Sequence, residues 1–197
     1  MTMLSDPTPP APRTGPSRGL RRLAAMLRRR IWRDRRGVAS LEFVLVLPVL
    51  LLIFMSAFEA GLLMTRFIML ERSLDMTMRE LRLGQFTNPD ADLIKSEVCR
   101  GSVILKDCMT NIHVEMQPVS TVTWAFPNTR TGCVNREEEI NPPNNFNPGQ
   151  PHQIMLVRVC VAQDAMFPTT GIGLRLPKDS GGAYGLVASS AFVNEPR

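Results

Sequence analysis

The chain is poor in the residues that chemistry most often uses. Its 197 residues include two histidines, His113 and His152, and four cysteines with no C-x-x-C pair among them. Structural zinc sites rely on such close pairs, and the intervals separating Cys99, Cys108, Cys133 and Cys160 do not match them. His113 alternates with Glu115 on a predicted strand, which puts both on one face. Two potential ligands without a third make a weak metal site, so an exposed polar pair on a sheet is the expectation. Thr170-Gly171-Ile172-Gly173-Leu174 lacks the third glycine and the flanking strand and helix of a dinucleotide site, and reads as a loop. No Ser, His and Asp set stands out, and there is no internal repeat. Neither catalysis, nor a metal, nor a cofactor is expected.

A basic face is also lacking in most of the chain. The formal net charge is +5, but ten arginines against Asp6 and Asp34 put +8 in residues 1–37, leaving −3 for the other 160. A basic tail on a mildly acidic body offers no surface to a phosphate backbone, so nucleic acid is not expected as a partner. Residues 1–17 contain five prolines and little that could be buried, which predicts a disordered tail. Arg18 to Arg36 intersperses arginines with Leu20, Leu23, Met26, Leu27, Ile31 and Trp32. This pattern reads as a basic amphipathic leader suited to an anionic membrane surface, or as a solvated charged linker.

What the chain has in quantity is a long apolar run. Phe43 to Phe58 carries no charge over sixteen residues, and Leu62 to Thr65 extends the run beyond Glu59. As a helix, Phe43 to Thr65 would cover roughly 34 Å, enough to cross a hydrocarbon core of about 30 Å. Nine arginines just before it give the asymmetry of a membrane helix whose N-terminus stays in the cytoplasm. The predicted arrangement is a single pass through the bacterial cytoplasmic (inner) membrane with residues 84–197 in the periplasm. Pro48 predicts a bend, because it lacks a donor and clashes with the carbonyl of Val44. Helical spacing continues through Leu63, Phe67, Leu70, Leu74, Met78 and Leu81, so one helix over residues 38–83 is predicted, with its membrane part at about 43–65.

Gly84 supplies a stop for that helix. Asn88-Pro89-Asp90 reads as a new helix start leading to about Cys99. Strands are predicted at Asn111 to Gln117, Thr121 to Phe126, Gln153 to Gln163 and Gly185 to Phe192, separated by Asn-, Pro- and Gly-rich segments. The fold class is therefore α+β, a long N-terminal helix followed by a small antiparallel sheet. Four cysteines on the periplasmic side favour disulfides. Three connectivities are possible. Cys99 with Cys108 and Cys133 with Cys160 close the nearer loops, and buried free thiols are the remaining alternative. Glu137-Glu138-Glu139 reads as a solvated turn or a contact for a basic partner.

The most informative string joins the leader to the apolar run: Arg35-Arg36-Gly37-Val38-Ala39-Ser40-Leu41-Glu42-Phe43. It resembles the processing site of type IV prepilins, where cleavage follows Gly and Glu stands at the fifth mature position. Cleavage after Gly37 would make Val38 the first residue and Glu42 the fifth. A carboxylate in a membrane helix is expensive, so Glu42 needs a partner or an interfacial position. The new α-amino group of Val38 on a staggered neighbour would neutralise it and fix register; a carboxylate snorkelling to the headgroups is the alternative.

The wider string, with Glu42-Phe43, Pro48, and Glu59 followed by Gly61, resembles the N-terminal signature of TadE-like proteins, pseudopilins of the Tad (Flp-type) pilus system. The closing Phe192-Val193-Asn194-Glu195-Pro196 resembles that family's C-terminus. The resemblance implies a pilin-like fold and a minor pilin-like role in pilus assembly and adhesion. It also implies cleavage by a prepilin peptidase, with pilin subunits and the membrane proteins of the Tad assembly machine as partners alongside the lipid bilayer. Glu59 reads as a carboxylate at the outer headgroup level. Two rivals are an unprocessed single-pass tether or secretion-complex subunit, and a secreted protein cut near Ala57 or Ala60.

Overall fold

The computed structural model describes residues 38–126, 132–137 and 145–195. The expected tail, the leader and Gly37 lie outside them, as do Glu138 and Glu139. Contacts along the chain group it into two compact units, residues 1–49 and 50–197. The α+β architecture is present: a long apolar helix followed by a three-stranded antiparallel sheet.

Helix α1 spans Val38–Arg82 and is 45 residues long. It continues through Pro48 without interruption. Gly84, in the left-handed region at φ 71°, ends it, as its N–H donates to the Leu81 carbonyl and that of Gln85 to the Glu80 carbonyl. Asp90 caps helix α2 (Ala91–Gly101), accepting the Leu93 N–H at 2.7 Å. The cap is thus Asp90 rather than Asn88, because the helix starts at Ala91 and the Asp90 carboxylate stands three residues before the amide it accepts. Helix α3 (Cys108–Asn111) leads directly into strand β1 (Ile112–Val119). Strand β2 (Ile154–Asp164), helix α4 (Gly171–Arg175) and strand β3 (Ala183–Val193) complete the described elements.

The sheet order is β1-β2-β3, with Val114 opposite Val159 and Val159 opposite Ala188. One face carries Ile112, Val114, Met116, Val157, Val159, Val161, Leu186 and Ala188 onto the stripe Leu70, Leu74 and Met78 of α1, and Ile94 and Val98 of α2 close the cluster. Arg66 lies by Tyr184, Asp75 by Ser190 and Arg82 by Glu195, so this part of α1 runs in the same direction as β3. α2 approaches α1 closely at Gly101, where a Cβ would collide with the Ser73 hydroxyl. That hydroxyl instead donates to the Val98 carbonyl at 2.7 Å.

Thr121 to Phe126 forms a turn and an irregular segment rather than a strand. Ser120 Oγ accepts the N–H groups of Val122 and Thr123, and the Trp124 N–H goes to the Ser120 carbonyl, leaving Trp124 at φ 50°. Local serine bonds outcompete extension there, and the alternating apolar residues Val122, Trp124 and Phe126 stay exposed.

Disulfides join Cys99 to Cys108, tying α2 to α3, and Cys133 to Cys160, tying the 132–137 segment to the sheet. Gly185 is required beside the second bond, since a Cβ there would stand 2.6 Å from Cys133 Sγ.

Candidate functional site

Two regions of α1 differ in what surrounds their side chains. Leu41, Phe43, Val44, Leu45, Val46, Val49, Leu50, Ile53 and Phe54 are exposed, Leu45 by 67% and Ile53 by 66%. Glu42 is exposed as well. Among the described residues this run stays exposed, and it is the one described helix long and apolar enough to cross a membrane. Solvent water is the wrong surroundings for such a surface; a bilayer or other apolar helices are the right ones.

From Glu59 onward one stripe of α1 is buried. Glu59 itself is 1% exposed. Its carboxylate accepts the N–H of Met166 at 3.2 Å and that of Phe167 at 2.9 Å, in the segment that follows β2. The carboxylate is buried within the protein, where two backbone donors compensate its desolvation. One heptad further, Arg66 is 5% exposed and its Nη1 donates to the Asp164 carbonyl at 2.9 Å and to the Tyr184 hydroxyl at 2.6 Å. The two charged groups grip consecutive parts of one stretch, Asp164 to Phe167. Sequence reasoning missed this pairing, although a signal existed: Glu59 and Arg66 fall on the apolar stripe of Leu63, Phe67, Leu70 and Leu74. A charge placed in a buried stripe demands a partner.

Around Glu59 the 165–176 segment lies tight on the helix. The rings of Phe58 and Phe167 meet edge to face with centroids 6.2 Å apart. Gly171, at φ 51°, stands where a Cβ would run into the Ser56 hydroxyl, and a Cβ on Gly173 would strike the Phe167 carbonyl. The glycines of the Thr170-to-Leu174 string thus permit close backbone approach, and Gly171–Arg175 forms helix α4 where a loop was expected.

The opposite face of the sheet carries a polar cluster. His113 is 1% exposed and Glu115 is buried, which corrects the expectation of an exposed pair. Arg158, facing Glu115 across the strands, donates to its Oε2 at 2.7 Å. His113 Nε2 lies 3.6 Å from Glu115 Oε1. Burial pushes the His113 pKa down and Lys95 adds to this, against the opposing pull of Glu115. Among the described residues no group of three or more His, Cys, Asp or Glu is placed to hold a metal.

At the edge of the sheet, Arg136 makes a two-pronged ion pair with Asp164. Its hydrogen bonds hold the Asp164 carboxyl below the usual carboxylate range. Glu137 is an exposed turn residue whose N–H donates to Asn135 Oδ1. The C-terminal string is structural too. Asn194 Nδ2 donates to the Pro148 carbonyl at 3.2 Å, and Glu195 pairs with Arg82 of α1 at 3.3 Å.

A long apolar helix, exposed in its first part and packed in its second against a disulfide-bonded antiparallel sheet, defines an α+β chain with one helix compatible with a membrane. Residues 37–79 match the family model described as TadE-like protein, so over those residues the chain is similar to that family. That match runs from Gly37 past Glu42, Pro48, Glu59 and Arg66, and leaves the sheet outside it. No curated protein and no solved structure matches the chain.

Proposed function

We propose that the chain is a minor pilin-like component of Tad (Flp-type) pilus assembly. It is held in the cytoplasmic membrane by the bare part of α1, with the sheet domain on the periplasmic side. The observation that carries this reading is the coincidence of the TadE-like match with an apolar helix whose first part is exposed among the described residues. Packing of such helices against one another is driven by surface fit and by satisfied polar groups rather than by water release.

Within that reading the leader is removed after Gly37 by a prepilin peptidase. Glu42 then accepts the α-amino group of Val38 on a neighbouring, lengthwise-staggered subunit, and Phe43 belongs to the packing face. The four arginines nearest the helix, Arg30, Arg33, Arg35 and Arg36, hold the N-terminal end on the cytoplasmic side until cleavage. The partners are pilin subunits and membrane proteins of the assembly machine.

The test replaces the native copy with Glu42→Gln in the producing cell. The expected result is normal membrane insertion with loss of pili. Undiminished piliation would overturn the role given to Glu42.

A further inference from the structure

Two groups of exposed apolar side chains lie at opposite ends of the described sheet. Val122, Trp124 and Phe126 follow the end of β1 where Val119 faces Ile154. Met166, Ile172 and Leu174 lie beyond the opposite end, in the segment joining β2 to β3. This second group is held beside α1 at Met55 to Glu59. Glu59 bonds Met166 and Phe167, Phe58 meets Phe167, Gly171 abuts Ser56, and the Thr170 hydroxyl lies 4.0 Å from the Met55 sulfur.

The segment is therefore fixed by its backbone and by Phe167, while Met166, Ile172 and Leu174 are turned outward at 51%, 38% and 61% exposure. On the same level Phe58 of α1 is half exposed, and Ile53 and Phe54 continue the apolar surface immediately before it. Residues 165–178 contain no acid and two cations, Arg175 and Lys178. Lys178 donates to the Pro168 carbonyl at 2.7 Å, keeping two donors free, and Arg175 is exposed.

We propose that the segment around α4 is a membrane-docking element. Ile172, Leu174 and Met166 sink into the headgroup and upper acyl region of the leaflet from which α1 emerges, and Arg175 and Lys178 meet lipid phosphates. Exposed apolar side chains followed on the same segment by two cations, with the adjoining Glu59 carboxylate buried, fit an anionic lipid surface. Continuity with the bare surface of α1 selects the bilayer over a soluble partner. The inference rests on α1 being the membrane span, and it sharpens that reading. It sets the edge of the hydrocarbon near Phe58, so Val38 to Phe58 would cover about 31 Å, close to the roughly 30 Å of a hydrocarbon core. It also places Glu59 on the protein side of that edge.

The experiment uses the full chain in phosphatidylcholine and phosphatidylglycerol vesicles, with or without bromine on the upper acyl chain. The parent is Trp32→Phe, which leaves Trp124 at the far end of the sheet. Leu174→Trp and Phe54→Trp are each compared with it. The expected result is a loss of the added fluorescence in brominated vesicles for both variants, and none for the parent. Quenching of Phe54→Trp without quenching of Leu174→Trp overturns the docking element and leaves the membrane helix standing. No quenching of Phe54→Trp overturns the membrane helix, and the docking element with it.

Discussion

The carboxylate of Glu59 and the backbone N–H of Phe167 lie 108 positions apart in sequence and 2.9 Å apart in space. Through this bond and its neighbour to Met166, the last apolar turn of α1 before its buried stripe is fastened to the sheet's β2–β3 connection.

Replacing Glu59 by Ala leaves two amide donors without their acceptor. Charge-assisted hydrogen bonds contribute about 1.5–3 kcal/mol each, and with partial water rescue the expected loss is about 2–3 kcal/mol. Glu59→Gln, which keeps one acceptor oxygen, should lose about half as much. Denaturant unfolding in detergent gives the magnitude, and amide exchange at Met166 and Phe167 gives the place. Unchanged exchange at those two amides would contradict the fastening.

The close approach at Gly171 makes a second test. Gly171→Ala adds a methyl against the Ser56 hydroxyl in a left-handed backbone, with an expected cost of about 1–3 kcal/mol. Adding Ser56→Gly should recover the steric part and leave the backbone part of about 1 kcal/mol. Simple additivity of the two substitutions would show that the residues do not touch.

His113 gives the domain a pH dependence whose sign is fixed. Burial lowers its folded pKa below the ordinary value of 6.5. As pH falls through that value, the unfolded chain takes up a proton that the folded chain resists, so stability drops with acidification below about pH 6.5. It is fully present above that range. His113→Gln should flatten the slope between pH 7 and pH 5, read from denaturant midpoints at stepped pH. An unaltered slope would assign it to other groups.

The two disulfides should contribute unequally. Their sequence separations are 9 and 27, for which chain-entropy estimates give about 2.5 and about 3.5 kcal/mol. Replacing Cys133 and Cys160 together by Ser should therefore lower the midpoint more than replacing Cys99 and Cys108. It also removes the covalent tie of the 132–137 segment, leaving weaker ones that include the Asn135–Ser180 hydrogen bond and the Arg136–Asp164 ion pair, the latter worth less than about 1 kcal/mol.

Much of this organisation can be read from residue order alone. The three- and four-residue spacing of Leu63, Phe67, Leu70 and Leu74, and the stop at Gly84, locate α1, which ends at Arg82. Alternation in β1, β2 and β3 locates the sheet to within a few residues, because each strand buries one side of its period against α1. Thr121 to Phe126 misleads for a physical reason: Val122, Trp124 and Phe126 alternate as a strand would, but Ser120 supplies a local acceptor that folds the backbone into a turn.

Glu59 and His113 mislead differently. Their burial depends on partners more than forty positions away, Arg158 indirectly through Glu115 for one and Met166 with Phe167 for the other. No local pattern announces a backbone amide as a partner. The Gly37 to Phe43 string, by contrast, is legible as a motif and lies mostly on the bare helix, where long-range packing within the chain does not alter its meaning.

The central claim concerns what the cell makes of that string. Intact mass and N-terminal sequencing of the protein recovered from the membrane of the producing cell test it directly. The expected chain begins at Val38, with the basic leader gone and a net charge of −3 on what remains. A chain beginning at Met1, or one beginning near Phe58 or Gly61, would contradict it.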